Sequence, residues 1–290
     1  MGRGPGQEDV PMEPMTISMV PLHSRVGDVD GNLRRMTEAC ANAGDADMIC
    51  FPELSLTGYS MPSSAGHRMS IDHPDIGCLV DLTDDSDIAI CFGYVDEDGH
   101  ITQCIAERGK VLGAYHKTHL GEREAGVMIP GDSFPLFRTS RAVVGIQVCW
   151  EAHFPEITGT YALDGADLIL MPFASGLGGE RRQLSWDRVL PARAYDNTVF
   201  VAAVNAFGDS GAGTFLGGGA SAYDVRGIRM GCTEGSEPLT VRLDPEQMER
   251  IRAEGYESMK DVYFLDKRRP ELYGRIGGKV SEPDFDRSFR

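Results

Sequence analysis

Three segments of this chain share one pattern: an apolar run that halts at a chemically reactive polar residue. They are Met48-Ile-Cys-Phe-Pro-Glu53, Val111-Leu-Gly-Ala-Tyr-His-Lys117 and Val143-Val-Gly-Ile-Gln-Val-Cys149. Short runs that stay apolar instead of alternating read as strands covered on both faces. Such strands belong to layered α/β architectures, where strand ends gather at one edge and sites form there. The chain has 290 residues and is 41% hydrophobic, enough for one large layered domain.

The third segment ends on a sharp turn. After Cys149 come Trp150, Glu151, Ala152, His153 and Phe154, and Pro155 and Glu156 suit the first turn of a helix running to Leu163. A cysteine there is expected to have its thiol pKa lowered by the helix N-terminus and any nearby cation. Backbone N–H groups of the same turn could hold a developing oxyanion. The plain alternative is a buried, inert cysteine.

Other strands are expected at Thr16–Leu22, Ala46–Phe51, Ile88–Val95, 101–107, 167–173, 199–206, 217–224 and 239–243. Asp98-Gly99 marks a hairpin turn. Helices are expected at 30–44, capped by Asp30 and stopped by Gly44, at 180–197 with a kink at Pro191, and at 245–255, with a weaker one at 76–82. Loop signals fill 55–74 and 122–130, and Val262 onward reads as an extended tail. Met1–Pro14 and residues 276–290 are expected to be terminal tails around one domain spanning 15–275.

The net charge of −16 opposes nucleic-acid binding, which needs a basic footprint. No apolar run is long enough to span a bilayer. Seven scattered cysteines without a C-x-x-C pair fit a reducing, cytoplasmic setting better than a disulfide framework.

A carboxylate, an ammonium and a thiol at one sheet edge make a workable hydrolase. Glu53 would act as general base, Cys149 as nucleophile, and Lys117 as the cation that stabilises a tetrahedral oxyanion. Taken singly, Glu53 could cap a loop and Lys117 could be a surface lysine. His116, His119, His153 and Cys149 are metal-ligand types, but His116-x-x-His119 is a short loop pattern, so no metal is expected. Phe173, Ala174 and Ser175 follow a strand and are candidate substrate contacts, as are Trp150, Glu151 and His153. Glu151 and His153 could equally secure the helix start. Arg181 and Arg182 could bind a substrate carboxylate, although a solvated helix face is the simpler reading.

The chain resembles the nitrilase, or carbon–nitrogen hydrolase, superfamily from about Thr16 to Tyr273. Phe51-Pro-Glu-Leu-Ser-Leu-Thr-Gly-Tyr59 looks like its glutamate segment, Gly113-Ala-Tyr-His-Lys-Thr-His-Leu120 like its lysine segment, and Val144–Glu156 like its cysteine segment. Glu124 falls where the family has a second glutamate, thought to orient lysine and substrate. Asn32, Arg193-Ala-Tyr-Asp-Asn197, Asn205 and Arg268-Arg-Pro-Glu-Leu-Tyr273 are similar as well. The resemblance implies a four-layer α-β-β-α sandwich with two mixed sheets. It also implies a homodimer or larger homo-oligomer built through helices beside the cysteine, and ammonia release through a thioester without metal or cofactor.

The match has departures. Asp96 and Asp196 stand where the family often has Glu, and the stretch from Tyr59 to Ile88 is shorter than usual. Trp150-Glu151 resembles true nitrilases, whereas Phe154-Pro155-Glu156 looks like amidase and carbamoylase branches. The expected activity is hydrolysis of a small linear amide or carbamoyl compound. The alternatives are a nitrilase and an idle dimeric scaffold.

Overall fold

The computed structural model describes residues 11–84, 86–254, 262–274 and 276–277. Its first half contains β1 (Met15–Met19), α1 (Val29–Ala41), β2 (Met48–Cys50), β3 (Arg68–Met69), α2 (Pro74–Asp81), β4 (Ala89–Asp96), β5 (Ile101–Glu107) and β6 (Lys110–His116). The second half contains β7 (Phe137–Arg138), β8 (Val143–Ile146), α3 (Pro155–Leu163), β9 (Leu168–Phe173), α4 (Gly179–Asp187), α5 (Leu190–Asn197) and β10 (Phe200–Asn205). β11 (Phe207–Asp209), β12 (Phe215–Gly217), β13 (Ala220–Tyr223), β14 (Arg229–Thr233), β15 (Leu239–Leu243) and α6 (Glu246–Glu254) follow.

Two mixed sheets result. One has the order β15-β1-β2-β4-β5-β6, with β3 added on β4; the other has the order β14-β13-β10-β9-β8-β7. Each holds parallel strands in its middle, β1, β2 and β4 in one and β8, β9 and β10 in the other, with antiparallel strands outside. The strand register places Ile17 beside Met48, Cys50 beside Cys91, and Val144 beside Leu168.

Strand side chains alternate between two cores, as a period of two requires. Leu168, Leu170, Ala202 and Val204 meet Ile17, Met48 and Cys50 between the sheets. Their neighbours Ile169, Met171, Val201 and Ala203 face Ile157 and Tyr161 of α3 and Leu190 and Ala194 of α5. On the opposite outer face, Ile49, Ile90 and Phe92 pack on Met36 of α1 and on Ile76 and Leu79 of α2. The layers therefore run α-β-β-α, and both sheets are covered on both faces.

Several expected boundaries move. α1 starts at Val29, so Asp30 lies inside its first turn, and no side chain caps it. Asp28 instead reaches Arg35 at 3.1 Å. The helix ends at Ala41, short of Gly44. The long helix expected over 180–197 is two helices, with Pro191 in the first turn of α5, where its missing N–H costs nothing. The strand expected over 217–224 is interrupted at Gly218 and Gly219, both at positive φ. β3, β7, β11, β12 and β14 are additional.

The ends are also more structured than expected. Met12 is buried in the central core and the Glu13 N–H donates to the Arg141 carbonyl at 2.8 Å, so the last residues of the expected N-terminal tail join the fold. Val262 onward is not simply extended: short 3-10 turns span Phe264–Lys267 and Pro270–Leu272, and Leu265 is buried. Residues 1–10, Gly255 and 278–290 lie outside the described residues.

Asn32 links α1 to the loop that carries the glutamate segment. Fully buried, it accepts from the Arg25 N–H and donates to the carbonyls of Arg25 and Leu56, each at 2.8 Å. Asn32→Ala would leave these groups without their partner, and buried unpaired groups cost about 1–3 kcal/mol each. We expect urea unfolding to show a loss of about 3 kcal/mol; a loss below about 1 kcal/mol would show that the loop is held by other contacts.

Candidate active site

β2 ends at Cys50, and the chain turns through Phe51 and Pro52 to Glu53. Leu54 takes a positive φ of 49°, and the next residues run beside β4. There the Leu56 N–H bonds to the Gly93 carbonyl, while Ser55 and Thr57 hydroxyls accept the N–H groups of Gly93 and Val95. The approach is close: a Cβ at Gly93 would lie 2.6 Å from the Leu54 nitrogen. These contacts fix the glutamate without further strand pairing.

Lys117 leaves β6 with its N–H bonded to the Ile101 carbonyl and its own carbonyl bonded to the Gly131 N–H, both at 2.9 Å. Its ammonium is fully buried between two carboxylates, 2.7 Å from Glu53 Oε1 and 2.8 Å from Glu124 Oε1. Tyr59 donates to Glu124 Oε1 at 2.9 Å and the Gly121 N–H to Glu124 Oε2 at 2.7 Å. Glu53 Oε2 is buried and has no hydrogen-bond partner.

Cys149 follows β8 in a left-handed conformation, φ 50°, which a non-glycine residue adopts only under constraint. A 3-10 turn, Cys149–His153, separates it from α3. Its thiol interacts with the Glu53 carboxylate, and the Ala174 N–H donates toward its sulfur. Glu53, Lys117, Glu124 and Cys149 thus meet in one cluster.

Burial dominates the proton equilibria. It raises the Glu53 pKa to about 7; Lys117 opposes that rise and Glu124 adds to it. Burial works against the Lys117 ammonium too, but Glu53, Cys149 and Glu124 together hold its pKa above the ordinary lysine value. The Cys149 thiol is pushed up to about 12, first by burial and then by the Glu53 charge, against the pull of Lys117. The expected lowering of the thiol pKa is therefore corrected. α3 begins only at Pro155, and desolvation beside a carboxylate outweighs the one cation.

Both carboxylate oxygens of the fully buried Glu151 are taken up by protein donors. Its Oε1 accepts from Tyr115 Oη at 2.7 Å, Thr118 N–H at 2.8 Å, Thr118 Oγ1 at 2.7 Å and His119 N–H at 3.0 Å. Its Oε2 accepts the Val148 N–H at 2.7 Å. One carboxylate therefore ties the nucleophile turn to the loop after Lys117. Gln147 braces the same turn, donating to the Glu151 and Phe154 carbonyls and accepting from Thr158. Arg193 donates twice to the Ala152 carbonyl, at 3.2 and 3.0 Å.

The remaining candidates divide. Trp150 is 46% exposed and packs edge-on against exposed His153, so both lie on the outer side of the turn. Phe173 and Ala174 are buried beside the cysteine. Ser175 is pinned by Asn205, which accepts its N–H at 2.8 Å and donates to its carbonyl at 3.0 Å. Arg181 is exposed, but Arg182 is buried, contrary to a solvated helix face.

Among the described residues, one trio of metal-ligand types clusters, Asp96, His100 and His116, with atoms within 4.8 Å. His116 faces Asp96 there at 3.3 Å, and His119 stacks on Phe154. The Asp96 oxygens already accept from the Gly99 and His100 N–H groups and from Thr102. Tyr59, Tyr115, Thr118 and Gln147 were not singled out in the sequence. Tyr59 and Tyr115 lie inside the glutamate and lysine segments, so a hydroxyl near a cluster of acids was the available signal.

The family model for carbon–nitrogen hydrolase matches residues 16–253. An (R)-stereoselective amidase from Pseudomonas sp. is 28% identical over 95% of this chain and 98% of its own. A protein named probable nitrilase from Schizosaccharomyces pombe is 26% identical over 90% of this chain and 97% of its own. The amidase from Nesterenkonia sp. AN1 superposes with a TM-score of 0.75 at 26% identity, covering 90% of this chain and 96% of that one. That structure is a glutamate-to-glutamine mutant with the acetamide moiety of fluoroacetamide added covalently at the active-site cysteine.

Glu151→Gln keeps the shape but turns an amide NH2 toward N–H donors. We expect it to destabilise the protein by about 3 kcal/mol in denaturant unfolding, because a buried charged acceptor is lost. Glu156→Gln, on the exposed start of α3, serves as the control and should change stability by less than about 0.5 kcal/mol. Equal effects from the two variants would remove the tether role of Glu151.

Proposed function

The chain belongs to the amidase-like branch of the nitrilase, or carbon–nitrogen hydrolase, superfamily, and on that premise we propose that it hydrolyses a small linear amide or carbamoyl compound through Cys149. The observation that carries this reading is the buried ammonium of Lys117 held between Glu53 and Glu124 beside the cysteine thiol. Glu53 takes the thiol proton as sulfur forms its bond to the amide carbon. The carbonyl oxygen becomes an oxyanion, stabilised by Lys117 Nζ. Collapse breaks the C–N bond, and the proton on Glu53 leaves with the nitrogen as ammonia. A thioester remains. Water then gives a proton to Glu53 and its oxygen to the acyl carbon, which releases the acid and restores the thiol.

Glu124 positions Lys117 in this scheme, and Tyr59 and the Gly121 N–H position Glu124. Phe173 and Ala174 lie close enough to border the acyl group. The nitrilase alternative uses the same sulfur, which would add to a nitrile carbon to give a thioimidate. The name of the S. pombe relative favours it. The Trp150-Glu151 pair does not, because Trp150 lies outside and Glu151 is committed to the tether. The reading also carries a homodimer built through the helices beside the cysteine, where Trp150 and Leu163 are exposed apolar side chains. It carries a cytoplasmic setting as well, consistent with seven free cysteines. Among the described residues no helix is long and apolar enough to cross a membrane.

The test is ammonia release from matched amides, ureido acids and nitriles. We expect turnover of amides or carbamoyl compounds, with Cys149→Ala reducing it at least about 10³-fold. Ammonia from nitriles alone would overturn the amidase assignment. The pH profile gives a second readout. Only ionised Glu53 accepts the thiol proton, and its pKa is raised from 4.5 to about 7. Activity should therefore fall as pH drops through about 7, well above the ordinary carboxylate range. An acid limb near 4.5 would show that burial does not govern this glutamate.

A further inference from the structure

We propose that Arg182 recognises a carboxylate on the substrate, so that this enzyme acts on amides carrying a second, anionic end. The inference rests on the amidase reading and adds the substrate class to it.

Arg182, on α4, is only 5% exposed. Its guanidinium lies over two rings, 5.1 Å from the centroid of Phe173 and 4.9 Å from that of Trp186. One neutral hydrogen bond serves it, from Nη2 to Ser185 Oγ at 3.0 Å, while Nε is enclosed without a partner. No carboxylate pairs with it among the described residues. Two other arginines of the fold are better served, whereas half-buried Arg226, which lies over Tyr195 and Phe264, also has both Nη atoms without a partner. Arg252 meets Asp167 at 2.7 Å, and Arg193 donates twice to the Ala152 carbonyl. An unpaired buried cation is strongly unfavourable, and aromatic faces recover only part of what water gave.

The position gives the charge a use. Phe173 leads directly into Ala174, whose N–H meets the nucleophile sulfur. Phe173 and Trp186 belong to the apolar cluster against which Cys149 packs, and the guanidinium lies over both of those rings. Its field acts on Cys149 and on His153. Arginine presents a planar fork of donors that matches a carboxylate in a bidentate pair. A substrate whose amide carbon is at Cys149 and whose far end is anionic would supply the missing partner. A cationic amide of similar length would meet like charge.

The experiment compares chain-matched substrates: succinamate with butyramide, and glutaramate with valeramide. For wild type we expect kcat/KM to favour at least one acid over its neutral partner by about tenfold or more. Arg182→Met should lower that acid-to-neutral ratio by about 10- to 100-fold, and Arg182→Lys should restore part of it. Thermal melting of Cys149→Ala protein gives a readout independent of turnover. The same acid should raise its Tm, and should not raise that of Cys149→Ala/Arg182→Met. If Arg182 serves only to pack Phe173 and Trp186, Arg182→Met will lower the Tm and leave the acid-to-neutral ratio unchanged, which overturns the proposal. If neither amide class is hydrolysed but the acid still raises the Tm through Arg182, the amidase reading fails while carboxylate recognition stands.

Discussion

The fully buried ion triad of Glu53, Lys117 and Glu124 is the constraint that the rest of the architecture serves. Removing an ammonium and two carboxylates from water costs several kcal/mol per ion. At separations of 2.7 and 2.8 Å and an effective dielectric near 20, each contact returns about 6 kcal/mol of gross attraction. The balance holds only if all three side chains arrive together, and they come from two connections, Glu53 from the one after β2 and Lys117 and Glu124 from the one after β6. The sandwich meets that demand by carrying Glu53 from the end of β2 and Lys117 from the end of β6 in the same sheet, with the Gly121–Glu124 turn bringing the second carboxylate to the ammonium. Loss of Lys117 would leave two carboxylates without a counter-ion, and loss of either glutamate would leave the ammonium with one of its two partners, so the triad specifies loop geometry as well as chemistry.

Glu151 performs a related task with different partners. It draws backbone and side-chain donors from Tyr115, Thr118 and His119 onto the turn that carries Cys149. Its pKa is lowered even though burial alone would raise it, because hydrogen bonds from His119, Thr118, Tyr115 and Val148 prevail. Cys149 can therefore be held at a positive φ without the turn relaxing. The strain is local, and the tether and the Arg193 clamp on Ala152 share the work of maintaining it.

Much of this was legible in the chain. Strands buried on both faces leave unbroken apolar runs, so β2, β4, β8, β9 and β10 could be located, and with them the positions of Glu53 and Cys149. The α-β-β-α sandwich itself came from the resemblance, because strand runs alone do not say how two sheets stack. What could not be read was which acid does which job. Glu151 sits beside the cysteine in sequence, where a substrate contact is the natural guess. Its partners lie more than thirty positions upstream, and only the folded chain brings them together. Arg182 could be named as a possible carboxylate ligand, but its burial could not be read. α4 is short and rich in charge, so its pattern suggests a wet helix; Trp186 lies one turn on in the same helix, but only the fold brings Phe173 of β9 onto the same guanidinium.

The same electrostatics decide how the nucleophile is formed. With Glu53 and Glu124 ionised and Lys117 protonated, the cluster carries a net charge of −1. A resting thiolate would bring that to −2 in a buried site, which is why the thiol pKa rises to about 12. Transfer of the thiol proton to Glu53 moves the negative charge onto sulfur without adding to it. Glu53, poised at about 7, is matched to that exchange in a way an ordinary carboxylate is not. As sulfur bonds to carbon, the charge passes on to the substrate oxygen. In the proposed cycle the net charge of the site stays at −1, and what changes is its location, which moves onto the substrate oxygen where Lys117 is already in place to receive it.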